Sequence, residues 1–233
     1  MGSRTSRSED LIRDAAALAL VFAGVVSTCC ATQPAEPQPR HVFIDGGAHA
    51  GESYQAFRKS GLYSKHSWDI YAIEANPTLA RQLPKAPHLT VLAKAIWVSP
   101  GTVEFHMESD ASGSNSMFAW RPKDELTTIA VESFDFSQWV KQTFSEQDYV
   151  ILSMDIEGAE YEVLEKMLHD DTAKYVDRLY VELHPWQIKG IKQKAAEKKG
   201  RRLLNDFRRR GLMVGEDSVE DVMMAGAWLD FII

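Results

Sequence analysis

The chain has 233 residues, 45% of them hydrophobic and including ten Phe and six Trp, which is ample for one buried core plus an N-terminal extension. Its formal charge of −7 argues against a general nucleic-acid binder. The two cysteines, Cys29 and Cys30, are adjacent, which argues against a mutual structural bridge, and cysteine usage does not fix the compartment.

Residues 15–26, AAALALVFAGVV, form an aperiodic apolar run. It is short for a membrane span, which needs about 20 residues, and suits a signal-peptide core or a short anchor. Arg4, Arg7 and Arg13 precede it, diluted by Glu9, Asp10 and Asp14, and Cys29-Cys30-Ala31 offers a cleavage site after Ala31. M-G-S-R-T-S also matches a myristoylation pattern, a weak signal. Residues 1–31 are therefore read as a signal or anchor, 32–40 as a proline-rich linker, and 41–233 as the folded domain. The expected route is the secretory pathway or a membrane, with the cytoplasm as the alternative.

HVFID, residues 41–45, reads as a strand, followed by GGAHAGES and a helix to about Ser60. Asp45, Gly47 and Gly51 give a D-x-G-x-x-x-G turn, in which glycine lets a ligand approach the backbone and the helix N-terminus offers free N–H groups. The next strand, DIYAIE, ends in Glu74, placed to accept hydrogen bonds from ribose hydroxyls. The glycines at 46, 47 and 51 miss the first, third and sixth positions of the dinucleotide fingerprint. The acidic Asp45 before them favours a ligand bearing a sulfonium or an ammonium, as S-adenosylmethionine does.

A third strand is expected near 89–95. GTVEFHM and LTTIAVES then interrupt the alternation as extra strands around the small polar loop SDASGSNSM, a candidate lid over an acceptor site with Trp120 beside it. Further helices fall near 77–83, 133–143, 157–169 and 193–210, and further strands near 148–155, 177–183, 212–216 and 226–232. The alternation predicts an α/β fold with a parallel sheet covered on both faces. Residues 189–210 carry ten Lys or Arg against Glu197 and Asp206, either a solvated helix face or a docking surface for an acidic partner or membrane lipid.

DYVILSMDIEGAE, residues 148–160, is the most informative stretch. An apolar strand ends in Asp155, Glu157 and Glu160 just as a helical pattern begins. Carboxylates clustered at a strand's carboxyl end repel one another unless a ligand, metal or proton offsets them. The plainer alternative places Glu157 and Glu160 in the first helical turn, where negative charge suits the dipole.

FIDGGAHAGES, YAIEANP, MDIEGAEYEVL and YVELH, in that order from His41 onward, together resemble the FkbM-type S-adenosylmethionine-dependent methyltransferases. Two positions depart from the family pattern: Ser153 stands where a lysine is usual, and His49 where an asparagine is. The resemblance implies a Rossmann-like class I methyltransferase fold with seven strands in the order 3-2-1-4-5-7-6, the seventh antiparallel. It implies S-adenosylmethionine as cofactor, with Asp45, Gly47 and Gly51 around its methionine end and His49 and Ser53 in the same turn. Glu74 would hold the ribose, Ala95 and Ile96 would flank the adenine, and Asp155 would complete the cofactor side.

The expected reaction is O-methylation of a hydroxylated small molecule or glycan, with Glu157, Glu182 and His184 as candidate general bases. The same groups with Asp155 could hold a divalent cation, but no zinc-type spacing is present and no metal is predicted. The alternatives are a non-catalytic cofactor- or nucleotide-binding module and a nucleotide-dependent oxidoreductase.

Overall fold

The computed structural model describes residues 38–109, 112–188 and 190–216. The N-terminal apolar run and the strand expected at 226–232 lie outside them. Among the described residues no helix is long and apolar enough to cross a membrane.

Strands β1 (His41–Gly46), β2 (Trp68–Ile73) and β3 (Leu89–Leu92) alternate with helices α1 (Glu52–Lys59) and α2 (Pro77–Gln82). Strands β4 (Ala95–Trp97), β5 (Gly101–Met107) and β6 (Thr127–Asp135) follow. The alternation then resumes with α3 (Phe136–Thr143), β7 (Tyr149–Met154), α4 (Glu160–His169), β8 (Arg178–Val181), α5 (Gln193–Arg209) and β9 (Met213–Gly215). The main sheet has six parallel strands in the order β3-β2-β1-β7-β8-β9. A second sheet, β4-β6-β5, is made by the insertion and joins β5 antiparallel to β6.

Alternation along β1 and β7 builds both cores. Val42, Ile44, Val150 and Leu152 point to one face, where Phe136 and Val140 of α3, Leu164 and Met167 of α4 and Leu203 and Phe207 of α5 cover them. Phe43 and Ile151 point to the other, with Tyr54 and Phe57 of α1. Phe43 stacks on Phe57 at 4.2 Å between ring centroids. Each such side chain, fully removed from water, contributes about 1.5–3 kcal/mol.

Four details differ from the sequence expectation. The strand expected over 89–95 is divided: Lys94 N turns back to Leu92 O at 3.0 Å, and Ala95 leaves the main sheet to pair with Ser133 of β6. The helix expected from 133 begins at Phe136, because β6 runs on to Asp135, whose side chain caps the helix at Gln138 N. The helix expected from 157 begins at Glu160, since Glu157 (φ 53°) and Gly158 (φ 108°) are left-handed and cannot continue a helix. Strand β9 pairs directly with β8, Arg178 opposite Met213, where a seventh strand was expected between them.

Candidate active site

The carboxyl ends of β1, β2 and β7 meet at the crevice where the chain reverses direction across the sheet, the position at which open α/β folds bind ligands. Gly46 of β1 lies beside Met154 of β7, and Gly47 then turns sharply with φ 85°. A Cβ on Gly47 would fall 1.7 Å from the Asp155 carbonyl oxygen, so only glycine fits. Gly47 N and Ala48 N both donate to Ile73 O, tying this turn to the end of β2. Gly51 is also left-handed, at the start of α1, and its N–H donates to Ala48 O. It shapes the turn and is not part of the cavity wall.

A cavity of about 450 Å³ opens over these strand ends, within the range of small-molecule sites. Asp45, Gly47, His49, Ser53 and Glu74 form one wall. Ala95 and Ile96 form another, with Phe105 and Met117 of the insertion. Asp155, Glu157 and Glu182 face them, beside Ser153.

Glu74 is buried, and its two oxygens accept from His49 N at 2.8 Å and Asn76 N at 2.7 Å. A carboxylate offers about four lone-pair directions, so Glu74 retains capacity for donors from a ligand. Burial raises its pKa against those two hydrogen bonds. Asp45 is 1% exposed and accepts from Tyr54 N at 3.2 Å. Burial pushes its pKa up to about 7, the Tyr54 bond opposing and the Glu74, Glu52 and Asp155 charges assisting.

The opposite wall centres on His184, which follows β8 and is 3% exposed. Its Nδ1 lies 3.0 Å from Glu160 Oε1. Glu160 is fully buried and accepts the backbone N–H groups of Ile156 and Gly158, each at 2.9 Å. It thus locks the left-handed turn of 157–158 as well as the imidazole. His184 Nε2 faces Glu157 Oε2 at 3.5 Å, Asp155 Oδ1 at 3.7 Å and Glu182 Oε1 at 3.8 Å. Burial works against charge on His184, but the Glu160 bond and the Glu157 and Asp155 charges outweigh it and lift its pKa to about 9. Asp155 turns Oδ1 inward while the rest of its side chain meets the cavity, and burial, reinforced by Glu182 and Glu157 against His184, raises it to about 7. Glu157 is likewise raised by burial.

Every wall residue expected from the sequence therefore reaches the cavity except Gly51 and His184, which stand behind it as turn former and charge partner. Sequence reasoning missed the anchor of the insertion. Ser116, fully buried, lies with Oγ 2.5 Å from the Glu157 carbonyl oxygen and accepts from Phe118 N. Gln187 donates to Glu157 Oε2 at 2.7 Å. Neither residue belongs to a chemical motif, and the contacts span 41 and 30 residues of sequence.

Six parallel strands with a cavity at their carboxyl ends define an α/β protein of the Rossmann-like kind. The family model described as the Methyltransferase FkbM domain matches residues 45–209, and the chain belongs to that family. The solved structure of methyltransferase FkbM from Methylobacillus flagellatus KT is similar over 71% of this chain, with 13% identity and a TM-score of 0.41. The similarity spans only 37% of that protein's length. No curated protein matches the chain.

Proposed function

We propose that the chain is an S-adenosylmethionine-dependent methyltransferase acting on a hydroxyl group of a small molecule or glycan. The observation that carries this reading is the two-sided cavity: Asp45 and Glu74 on one wall, Glu157 and Glu182 on the other. The donor set fits the cofactor. Asp45 supplies a buried counter-charge for its ammonium and sulfonium end, and Glu74 has acceptor capacity for ribose hydroxyls. Gly47 brings its turn close against the Asp155 carbonyl and lines the cavity, and the apolar Ala95 and Ile96 offer a slot for the adenine.

When bound, the cofactor supplies an electrophilic methyl group on a sulfonium. The protein must hold the acceptor oxygen in line with it and remove the hydroxyl proton. His184 is a poor base near neutral pH, because its pKa of about 9 keeps the imidazole protonated. The proton acceptor is instead a cavity-facing carboxylate, Glu157 or Glu182, and burial of Glu157 raises its basicity. The insertion, fixed by Ser116 to the Glu157 turn, closes the acceptor side with Met117.

Calorimetry with S-adenosylmethionine and with NAD tests the cofactor, and transfer of labelled methyl groups to fractionated metabolite and glycan extracts tests the reaction. NAD binding without S-adenosylmethionine binding would make this an oxidoreductase. Cofactor binding with no transfer in any fraction would make it a binding module. The apolar run at 15–26 supports delivery to a membrane or the secretory route. Unprocessed full-length protein in the cytosolic fraction would overturn that placement alone.

A further inference from the structure

We propose that Asp155, Glu157 and His184 form a divalent-cation site, of the carboxylate-rich kind that takes Mn²⁺. One ligand atom from each lies within 4.8 Å of the other two. Around a cation with bonds of about 2.1 Å, neighbouring donors stand about 3 Å apart. His184 Nε2 is already 3.5 Å from Glu157 Oε2 and 3.7 Å from Asp155 Oδ1, so shifts of roughly half an ångström bring each of these two pairs to the separation of neighbouring ligands.

Two buried atoms that face each other at 3.7 Å, each short of a hydrogen-bond partner, point to a ligand here rather than to an ordinary acidic surface. First, His184 is 3% exposed, yet among the described residues the polar atoms that Nε2 meets are carboxylate oxygens lying beyond the usual hydrogen-bond distance of about 2.7–3.2 Å. Second, Asp155 Oδ1 is a buried oxygen with no hydrogen-bond partner among the described residues. Buried polar atoms left this way normally signal a missing water or ion.

The surrounding bonds are those of a ligand set held in advance. Glu160 fixes the imidazole through Nδ1, the usual arrangement for a metal-binding histidine, whose second nitrogen bonds a carboxylate. Gln187 Nε2 donates to Glu157 Oε2 and fixes that carboxylate in turn. One imidazole and two carboxylates, with open positions toward the cavity, suit Mn²⁺ among the common divalent ions. Glu182 remains beside the site and free to take a proton. The binding is independent of the methyl-transfer reading; its role, lowering the pKa of an acceptor hydroxyl, rests on that reading.

The test is titration of chelator-treated full-length protein with Mn²⁺, followed by the electron paramagnetic resonance of the free ion. One site per chain is expected, with a nitrogen coupling to the bound ion that His184→Ala abolishes. Asp155→Asn, nearly isosteric, should weaken binding at least tenfold, whereas Glu165→Gln on the exposed side of α4 should not change it. Circular dichroism checks the fold of each variant, and Asp155→Asn carries the test if His184→Ala does not fold. Binding without nitrogen coupling, binding unchanged in Asp155→Asn, or no binding above that of scattered surface carboxylates would each overturn the proposal. Calorimetry with S-adenosylmethionine on the same metal-free samples shows separately whether the cofactor reading stands.

Discussion

Replacing Glu160 by Gln tests the network behind the candidate site. The carboxylate accepts from Ile156 N, Gly158 N and His184 Nδ1 in a fully buried position. An amide keeps one acceptor oxygen and turns a donor toward at least one of these groups. Breaking one partner of such a buried charged network costs about 3–5 kcal/mol. At about 2–4 °C per kcal/mol for a domain of this size, the melting temperature should fall by roughly 10 °C. A pH signature accompanies the loss. The pKa of His184 is raised to about 9 from about 6.5, so its charge contributes about 3 kcal/mol. That contribution is complete below about pH 6.5 and is lost as pH rises through about 9. Unfolding of metal-free wild type by urea should therefore become easier across this interval, and Glu160→Gln should flatten the decline. Nuclear magnetic resonance of the His184 ring should show its titration shifted downward in the variant. Stability within about 1 kcal/mol of wild type, with His184 still titrating near 9, would refute the reasoning.

Asp45→Asn and Glu74→Gln should each weaken S-adenosylmethionine binding by about ten- to a hundredfold in calorimetry, the worth of one charged hydrogen bond. Because the Asp45 pKa is raised to about 7, its ionisation opposes folding increasingly from about pH 4 to about pH 7 and fully above. Asp45→Asn should accordingly raise the melting temperature at pH 8, by up to about 4 kcal/mol of stability, and leave it unchanged at pH 4. Gly47→Ala should prevent folding or cost more than about 3 kcal/mol by thermal unfolding, since its Cβ would meet the Asp155 carbonyl at 1.7 Å. Glu182→Gln should lower methyl transfer by about 10²–10⁴-fold if Glu182 is the base, with cofactor affinity nearly unchanged.

The legible parts of the sequence were those where local pattern and tertiary role coincide. The runs at 41–45, 69–74 and 149–154 are apolar and β-rich because both faces of their sheet are buried, and each became a strand. Their terminal acids reached one cavity because parallel strands bring their carboxyl ends together. The division at Lys94 was not legible, since residues 89–95 look like one strand until the insertion supplies a second sheet for Ala95 to join. Glu160 was read as cavity acid or helix-dipole residue and is neither alone. Its backbone bonds require Glu157 and Gly158 in left-handed conformations, which residue identity signals at the glycine but not at the glutamate.

Charge balance links these features. Four carboxylates, those of Asp155, Glu157, Glu160 and Glu182, surround one imidazole within 3.8 Å. His184 can offset one of them, and Glu160 takes that share through the shortest contact while also drawing on two backbone N–H groups. The other three, only partly buried, are left facing a cavity that the fully buried Asp45 also lines. A fold selected only for stability would gain by neutralising such groups, because burying like charges together opposes their ionisation. Their arrangement around one opening is accounted for by positive partners that occupy it: a sulfonium and ammonium on the Asp45 side and a divalent cation on the His184 side. Both walls depend on the same contact, Gly47 against the Asp155 carbonyl, so the two halves of the site are held in register by backbone rather than by side chains.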